Sequence, residues 1–123
     1  MHVMITSKYF SEKEFNRCTP SCSLQDMNQE FMNKLDQLRE LSGIPLVINS
    51  AFRSVQYEKS KKRNGTSAHV LGVAIDIRCN DSQNRFKVLK GALKLGFKRI
   101  GVASSFIHLD ISKSHAQNVI WTY

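Results

Sequence analysis

The chain has 123 residues, 41% of them hydrophobic and 23% charged, a mixture that supports one hydrophobic core and leaves no room for a second domain. Eighteen Lys and Arg against ten Asp and Glu give a net charge of +8, which attracts polyanions in general and selects none of them. No apolar run approaches the roughly 18 residues of a membrane helix. Residues 1–8 lack the charged leader and apolar stretch of a secretory signal, so synthesis in the cytoplasm without a cleaved leader is expected.

Residues 1–23 read as a leading segment and 24–123 as the core of a single domain. Ser11-Glu12-Lys13-Glu14 has the Ser-x-x-Glu form of a capping box and predicts a helix of a turn or two before Thr19-Pro20. Cys18, Cys22 and Cys79 are odd in number, so at least one thiol stays unpaired within the chain. The Cys18–Cys22 spacing allows a small disulfide loop or two thiols, and too few neighbouring ligands exist for a zinc knuckle. Free or structural thiols are expected. Leu24, Met27, Phe31, Leu35, Leu38 and Leu41 recur at three- and four-residue steps, predicting a helix over 24–41 that Gly43 and Pro45 end. Leu46-Val47-Ile48 predicts a short buried strand. Residues 54–62 predict a short polar helix, and Asn64-Gly65 a turn. The cluster Lys59, Lys61, Lys62 and Arg63 reads as a solvated basic loop. A strand follows over 73–78, then a helix capped by Asp81 or Ser82, carrying Phe86, Leu89 and Leu93 and closed by Gly96. Residues 97–102 and 106–111 predict an antiparallel hairpin turning at Ala103-Ser104-Ser105. The sum is an α+β fold, helices first and then a small, mostly antiparallel sheet with a helix packed on it.

Two stretches carry chemistry. In the first, His69 stands on a loop, Gly72 allows a bend, and Asp76 lies between Ile75 and Ile77 on a strand. An acid on a core strand needs a partner, because an isolated buried carboxylate is costly. In the second, Phe106-Ile107-His108-Leu109-Asp110-Ile111, alternation puts His108 and Asp110 on one face and the aliphatic residues on the other. If these strands are neighbours the polar stripes converge, and two imidazoles with one carboxylate make a common catalytic zinc shell. His2 and His115 lack such a setting and read as surface residues.

Ser67-x-His69-x-x-Gly72-x-Ala74-x-Asp76-Ile77, followed by Ile107-His108-x-Asp110, resembles the zinc D-alanyl-D-alanine carboxypeptidase family. That family includes phage endolysins and wall-trimming peptidases, and the Hedgehog signalling domain shares its fold. Asn49-Ser50-Ala51-Phe52-Arg53-Ser54 is similar to the Ser-Gly-Tyr-Arg-Ser stretch found upstream in it, and Phe10-Ser11-Glu12-Lys13-Glu14-Phe15 matches its compact phage-type branch. The resemblance implies that His69, Asp76 and His108 ligate Zn2+, that Arg53 contacts a substrate carboxylate and that Ser67 helps hold the substrate. Many members carry an acid three positions before the last histidine ligand as general base; here that position is Ser105, and Phe106 stands where some relatives have histidine. Asp110 is then either the base or the residue that orients His108, with orientation preferred.

The function implied is hydrolysis of peptidoglycan stem peptides, by a monomer without a wall-binding domain, drawn to the anionic cell wall and released by lysis if phage-encoded. The alternative, favoured by Ser105, is a zinc-holding recognition module of the same fold that has lost catalysis. A nucleic-acid binder has the charge in its favour and no recognised motif.

Overall fold

Strands β1 (Ile48–Ser50), β2 (Ala74–Arg78), β3 (Arg99–Val102), β4 (Phe106–Asp110) and β5 (Val119–Thr122) form one sheet in the order β1-β2-β4-β3-β5. Neighbours run antiparallel except β3 and β5, which are parallel. Among the described residues four α-helices accompany the sheet: α1 (Glu12–Asn16), α2 (Gln29–Ser42), α3 (Val55–Ser60) and α4 (Ser82–Lys94). This computed structural model describes residues 3–16 and 22–123; His2 and Cys18, and with Cys18 the candidate 18–22 loop, lie outside them. The architecture is the α+β arrangement expected, and among the described residues no helix is long and apolar enough to cross a membrane.

The two faces of the sheet follow from alternation along each strand. Ile75, Ile77, Ile100, Ile107 and Leu109 are buried on one face, beneath Phe31, Met32, Leu35 and Leu38 of α2 and Val88 and Ala92 of α4. The other face carries the polar residues. Opposed pairs place Asp76 against His108, His108 against Gly101, and Gly101 against Trp121, so one row crosses four strands. A second row runs Ala74, Asp110, Arg99 and Val119.

Several predicted elements shift. The helix expected over 24–41 is broken: a 3-10 turn, Leu24–Asp26, precedes α2, and the side chain of Asn28 caps α2 by accepting from Phe31 N at 2.9 Å. Ser23 caps the turn in the same way, so two side chains that bond backbone locally interrupt the continuous stripe. Leu24, Met27, Phe31, Leu35 and Leu38 are buried as the periodicity requires, but Leu41 is exposed. On α4 the expected stripe is rotated, with Phe86 and Leu93 exposed and the buried face formed by Val88, Gly91 and Ala92, where small residues bring α4 close to Leu38. The strand expected at 46–48 begins only at Ile48; Val47 is exposed and contributes its carbonyl to Arg78 N at 2.8 Å. Strand β3 starts at Arg99, after Phe97 has closed the end of α4 by donating to Ala92 O. Strand β5 was not foreseen, although Val119-Ile120-Trp121-Thr122 is β-branched and aromatic throughout.

The N-terminal stretch is tied to α2 rather than loose. Asp36 accepts from Ser7 Oγ, Lys8 N and Tyr9 N, and Glu14 reaches back to Ser11 N at 2.6 Å as half of the expected capping box. Cys22 and Cys79 are both buried, and burial pushes the Cys79 thiol above its ordinary pKa.

Candidate metal centre

His69 is delivered by a 3-10 turn, Ala68–Leu71, that ends at Gly72 with φ +72°. The left-handed backbone is one reason for glycine there; close approach is another, since a Cβ on Gly72 would lie 2.3 Å from the carbonyl oxygen of Asp26. Gly72 O in turn accepts from Asn28 N at 2.9 Å, which fastens this turn to the start of α2. The stretch after β1 fixes the ring itself. His69 Nδ1 is 2.6 Å from Ala51 O, and Arg53 N donates to His69 O at 3.2 Å. A backbone carbonyl only accepts, so His69 Nδ1 donates, and in the neutral ring that tautomer leaves the Nε2 lone pair for a cation. That Nε2 is buried, without a hydrogen-bond partner, and 3.4 Å from Asp76 Oδ1.

Asp76 and His108 face each other across β2 and β4, with His108 Nδ1 2.8 Å from Asp76 Oδ1. The other ring nitrogen, Nε2, is 2.7 Å from Asp110 Oδ2. Two carboxylates, one on each nitrogen, call for protons on both, so the ring is an imidazolium when no cation is present. Burial opposes that charge, but the hydrogen bonds to Asp110 and Asp76 outweigh it and hold the His108 pKa above its ordinary value. The same contacts act in reverse on the acids. Burial alone would raise Asp76, yet the hydrogen bond from His108 outweighs it and keeps its carboxyl well below the usual range. Asp110 is lowered by His108, Ser112 N and Arg99 against its burial.

Asp110 has no oxygen to spare. Its Oδ1 accepts from Arg99 Nε at 2.7 Å and Ser112 N at 3.0 Å, while Oδ2 faces His108. Arg99 also donates to Ala116 O at 2.6 Å and lies over the Trp121 ring, 5.0 Å from its centroid. Trp121 packs on His108 with ring centroids 5.3 Å apart, and it rests on Gly101, where a Cβ would meet its indole nitrogen at 2.6 Å.

These residues line an open pocket of about 420 Å³ together with Arg53, Glu58, Ser67 and Tyr123. Each of the described residues' buried polar atoms without a hydrogen-bond partner, Arg53 Nε, Glu58 Oε1 and His69 Nε2, belongs to a residue of that pocket. The five positions expected to surround the site, Arg53, Ser67, His69, Asp76 and His108, are thus brought together, with Asp110 directly behind His108. Ser105 is exposed in the turn between β3 and β4, its carbonyl accepting from Cys79 N. The sequence reading missed Glu58, Arg99, Trp121 and Tyr123. It also misplaced His115, which is half-buried in the pocket wall, Nδ1 2.7 Å from Ser112 Oγ and Nε2 3.0 Å from Thr66 O. Alternation along β3 was the available signal for Arg99, which shares a face with Gly101.

His69, Asp76 and His108 each offer one ligand atom, and the three lie within 4.8 Å of one another. Two imidazoles and a carboxylate at the edge of an open pocket are a donor set that could hold one metal ion. His69, its Nδ1 locked and its buried Nε2 unsatisfied, fits a cation particularly well. The chain belongs to the Peptidase M15 family, whose model matches residues 8–110, a span that holds every candidate ligand. Peptidases of this family are zinc-dependent. Curated proteins yield no match.

Two expected outcomes arise from this geometry. Asp110→Asn is expected to lower zinc affinity or activity by about 10- to 100-fold, as loss of an orienting carboxylate behind a ligand histidine does; isothermal titration with zinc checks it. Zinc affinity should also rise with pH, because a cation at His108 Nδ1 displaces a proton whose pKa is raised. Folded His108 holds that proton above the ordinary histidine value, so the competition eases only as pH climbs through the raised pKa. A competition titration at about pH 5.5 and about pH 7.5 should show tighter binding at the higher value.

Proposed function

We propose that the chain is a zinc metallopeptidase that hydrolyses peptidoglycan stem peptides, as a D-Ala-D-Ala carboxypeptidase or an endolysin-type endopeptidase. The observation that carries this reading is the convergence of His69, Asp76 and His108 within 4.8 Å beside the guanidinium of Arg53, in a chain of the Peptidase M15 family. When bound, zinc supplies a Lewis acid for a carbonyl and lowers the pKa of a coordinated water from about 15.7 to about 7.

The chain's own residues supply the rest. Arg53 Nη1 and Nη2 lie 3.5 Å from Glu58 Oε2 and 3.6 Å from Asp76 Oδ2. Both distances exceed those of charge-assisted hydrogen bonds, so the Nη donors remain for a substrate carboxylate. Ser67 adds a polar group at the same wall. Asp110, with both oxygens engaged, orients His108 rather than moving protons. Ala51 O holds the His69 tautomer. The net charge of +8 favours encounter with the anionic wall. Residues 1–123 act in this reading as one monomeric catalytic domain, reaching the wall after lysis if phage-encoded.

Digestion of purified muropeptides, read by mass spectrometry, tests the proposal: released D-Ala or split stems are expected. Intact stems with one zinc bound per chain would overturn it in favour of a zinc-holding recognition module, the reading that Ser105 supports. In the same assay Arg53→Ala should keep its zinc and lose about 10- to 100-fold in kcat/KM, mostly through KM, as removal of a hydrogen bond to a charged group at about 1.5–3 kcal/mol requires.

A further inference from the structure

Glu58 lies on α3 among exposed basic residues, yet it is fully buried. Its Oε2 accepts from Ser67 Oγ at 2.6 Å and faces Arg53 Nη1 at 3.5 Å. Ser67 stands at the N-cap of the turn that carries His69, where a serine oxygen ordinarily accepts a backbone N–H, but it makes no capping bond. Its hydroxyl is turned to Glu58 instead. A serine hydroxyl has one proton and two lone pairs. With the proton committed to Glu58, Ser67 has only lone pairs left for the pocket that it lines.

We propose that Glu58 is a positioning residue that makes Ser67 a hydrogen-bond acceptor for a substrate N–H, next to the Arg53 donors that take the substrate carboxylate. The inference rests on the carboxylate reading of Arg53 given above and narrows its substrate class. One oxygen, Glu58 Oε2, sets Ser67 and Arg53 side by side. The amide N–H and the carboxylate of a C-terminal residue are separated by a single Cα, so one such residue presents a donor and an acceptor to match that pair. An ester in place of the amide, or an N-alkylated residue, offers Ser67 no donor and is discriminated against. The opposite polarity, Ser67 donating to a substrate oxygen, is closed while Glu58 holds its proton.

The test is a ligand pair titrated by NMR into the zinc-loaded protein: N-acetyl-D-alanine and its ketomethylene counterpart, in which CH2 replaces the N–H. Wild type should prefer the N–H ligand by about tenfold, the worth of one hydrogen bond. Ser67→Ala and Glu58→Met should each bring the ratio near one. Glu58→Gln, which keeps an acceptor oxygen of the same reach, should retain the preference, and a purely structural role for Glu58 would not produce that order. Equal binding of both ligands by wild type overturns the proposal, as does a tenfold preference that survives Ser67→Ala. The serine variant decides by itself should the methionine variant fail to fold. If wild type and Arg53→Ala are alike in binding neither ligand, the carboxylate reading falls and this inference falls with it.

Discussion

Replacement of His108 by alanine is expected to remove zinc and peptidase activity together, with metal affinity falling by more than the roughly 100-fold upper range seen when only an orienting partner is lost. The ring does two things at once in this site. Its Nδ1 stands 2.8 Å from Asp76 Oδ1, at the point where the ligand atoms converge, and its Nε2 is braced by Asp110 at 2.7 Å. Alanine would leave a buried carboxylate, Asp110, and a half-buried one, Asp76, without the imidazole between them. Asp110 would keep Arg99 and Ser112, and Asp76 would keep only the longer contacts to His69 and Arg53. His69→Ala should behave alike, with the added cost that Ala51 O loses its donor. Zinc content by atomic absorption, beside circular dichroism to establish folding, checks both variants. Equal zinc in His108→Ala and wild type would take that residue out of the centre.

Gly72→Ala should destabilise the protein by about 3 kcal/mol or more, seen as a fall in Tm of about 10 °C or more. The left-handed backbone at φ +72° accounts for about 1–2 kcal/mol of that. The rest comes from the Cβ, 2.3 Å from the carbonyl oxygen of Asp26, a backbone atom that cannot swing aside as a side chain would. Relief requires the turn and the start of α2 to part, which breaks the bond from Asn28 N to Gly72 O. Because the same turn carries His69, zinc affinity should weaken as well. Gly43→Ala is the internal control: its φ is +69° but nothing lies within 4 Å of the added Cβ, so only the conformational cost of about 1–2 kcal/mol is expected. Comparable losses in the two variants would show that the contact between the turn and Asp26 is not tight.

The facing of Asp76 and His108 was legible because strand alternation is a rigid rule, whereas the place of His69 beside them came only with the family resemblance. An aspartate flanked by isoleucines, and a His-x-Asp pair between aliphatic residues, could only place their polar groups opposite the core, and antiparallel pairing of β2 with β4 then set Asp76 against His108. Glu58 was not legible for the converse reason. On a helix of six residues, Val55–Ser60, dominated by polar neighbours, no periodicity marks one side chain as buried; the burial arises from Ser67 and Arg53, which arrive from other parts of the chain. Arg99 carried no signal of its own in the sequence, and only pairing of β3 with β4 turns it toward Asp110. The break between the Leu24–Asp26 turn and α2 was hidden because the apolar stripe continues through it, while Asn28, which caps α2, looks like an ordinary helix-surface position.

The pocket wall made by Trp121 and Tyr123 comes from β5 and the residue after it, past the end of the stretch that matches the peptidase family. Part of the pocket lining thus lies outside the stretch that holds the candidate ligands. Trp121 packs on His108 and under Arg99, so its flat ring is the part of β5 that the candidate metal site leans on, whereas Tyr123 faces the pocket beyond it. Side-chain changes at Trp121 or Tyr123 would therefore reshape the mouth of the pocket with the three candidate ligand side chains retained.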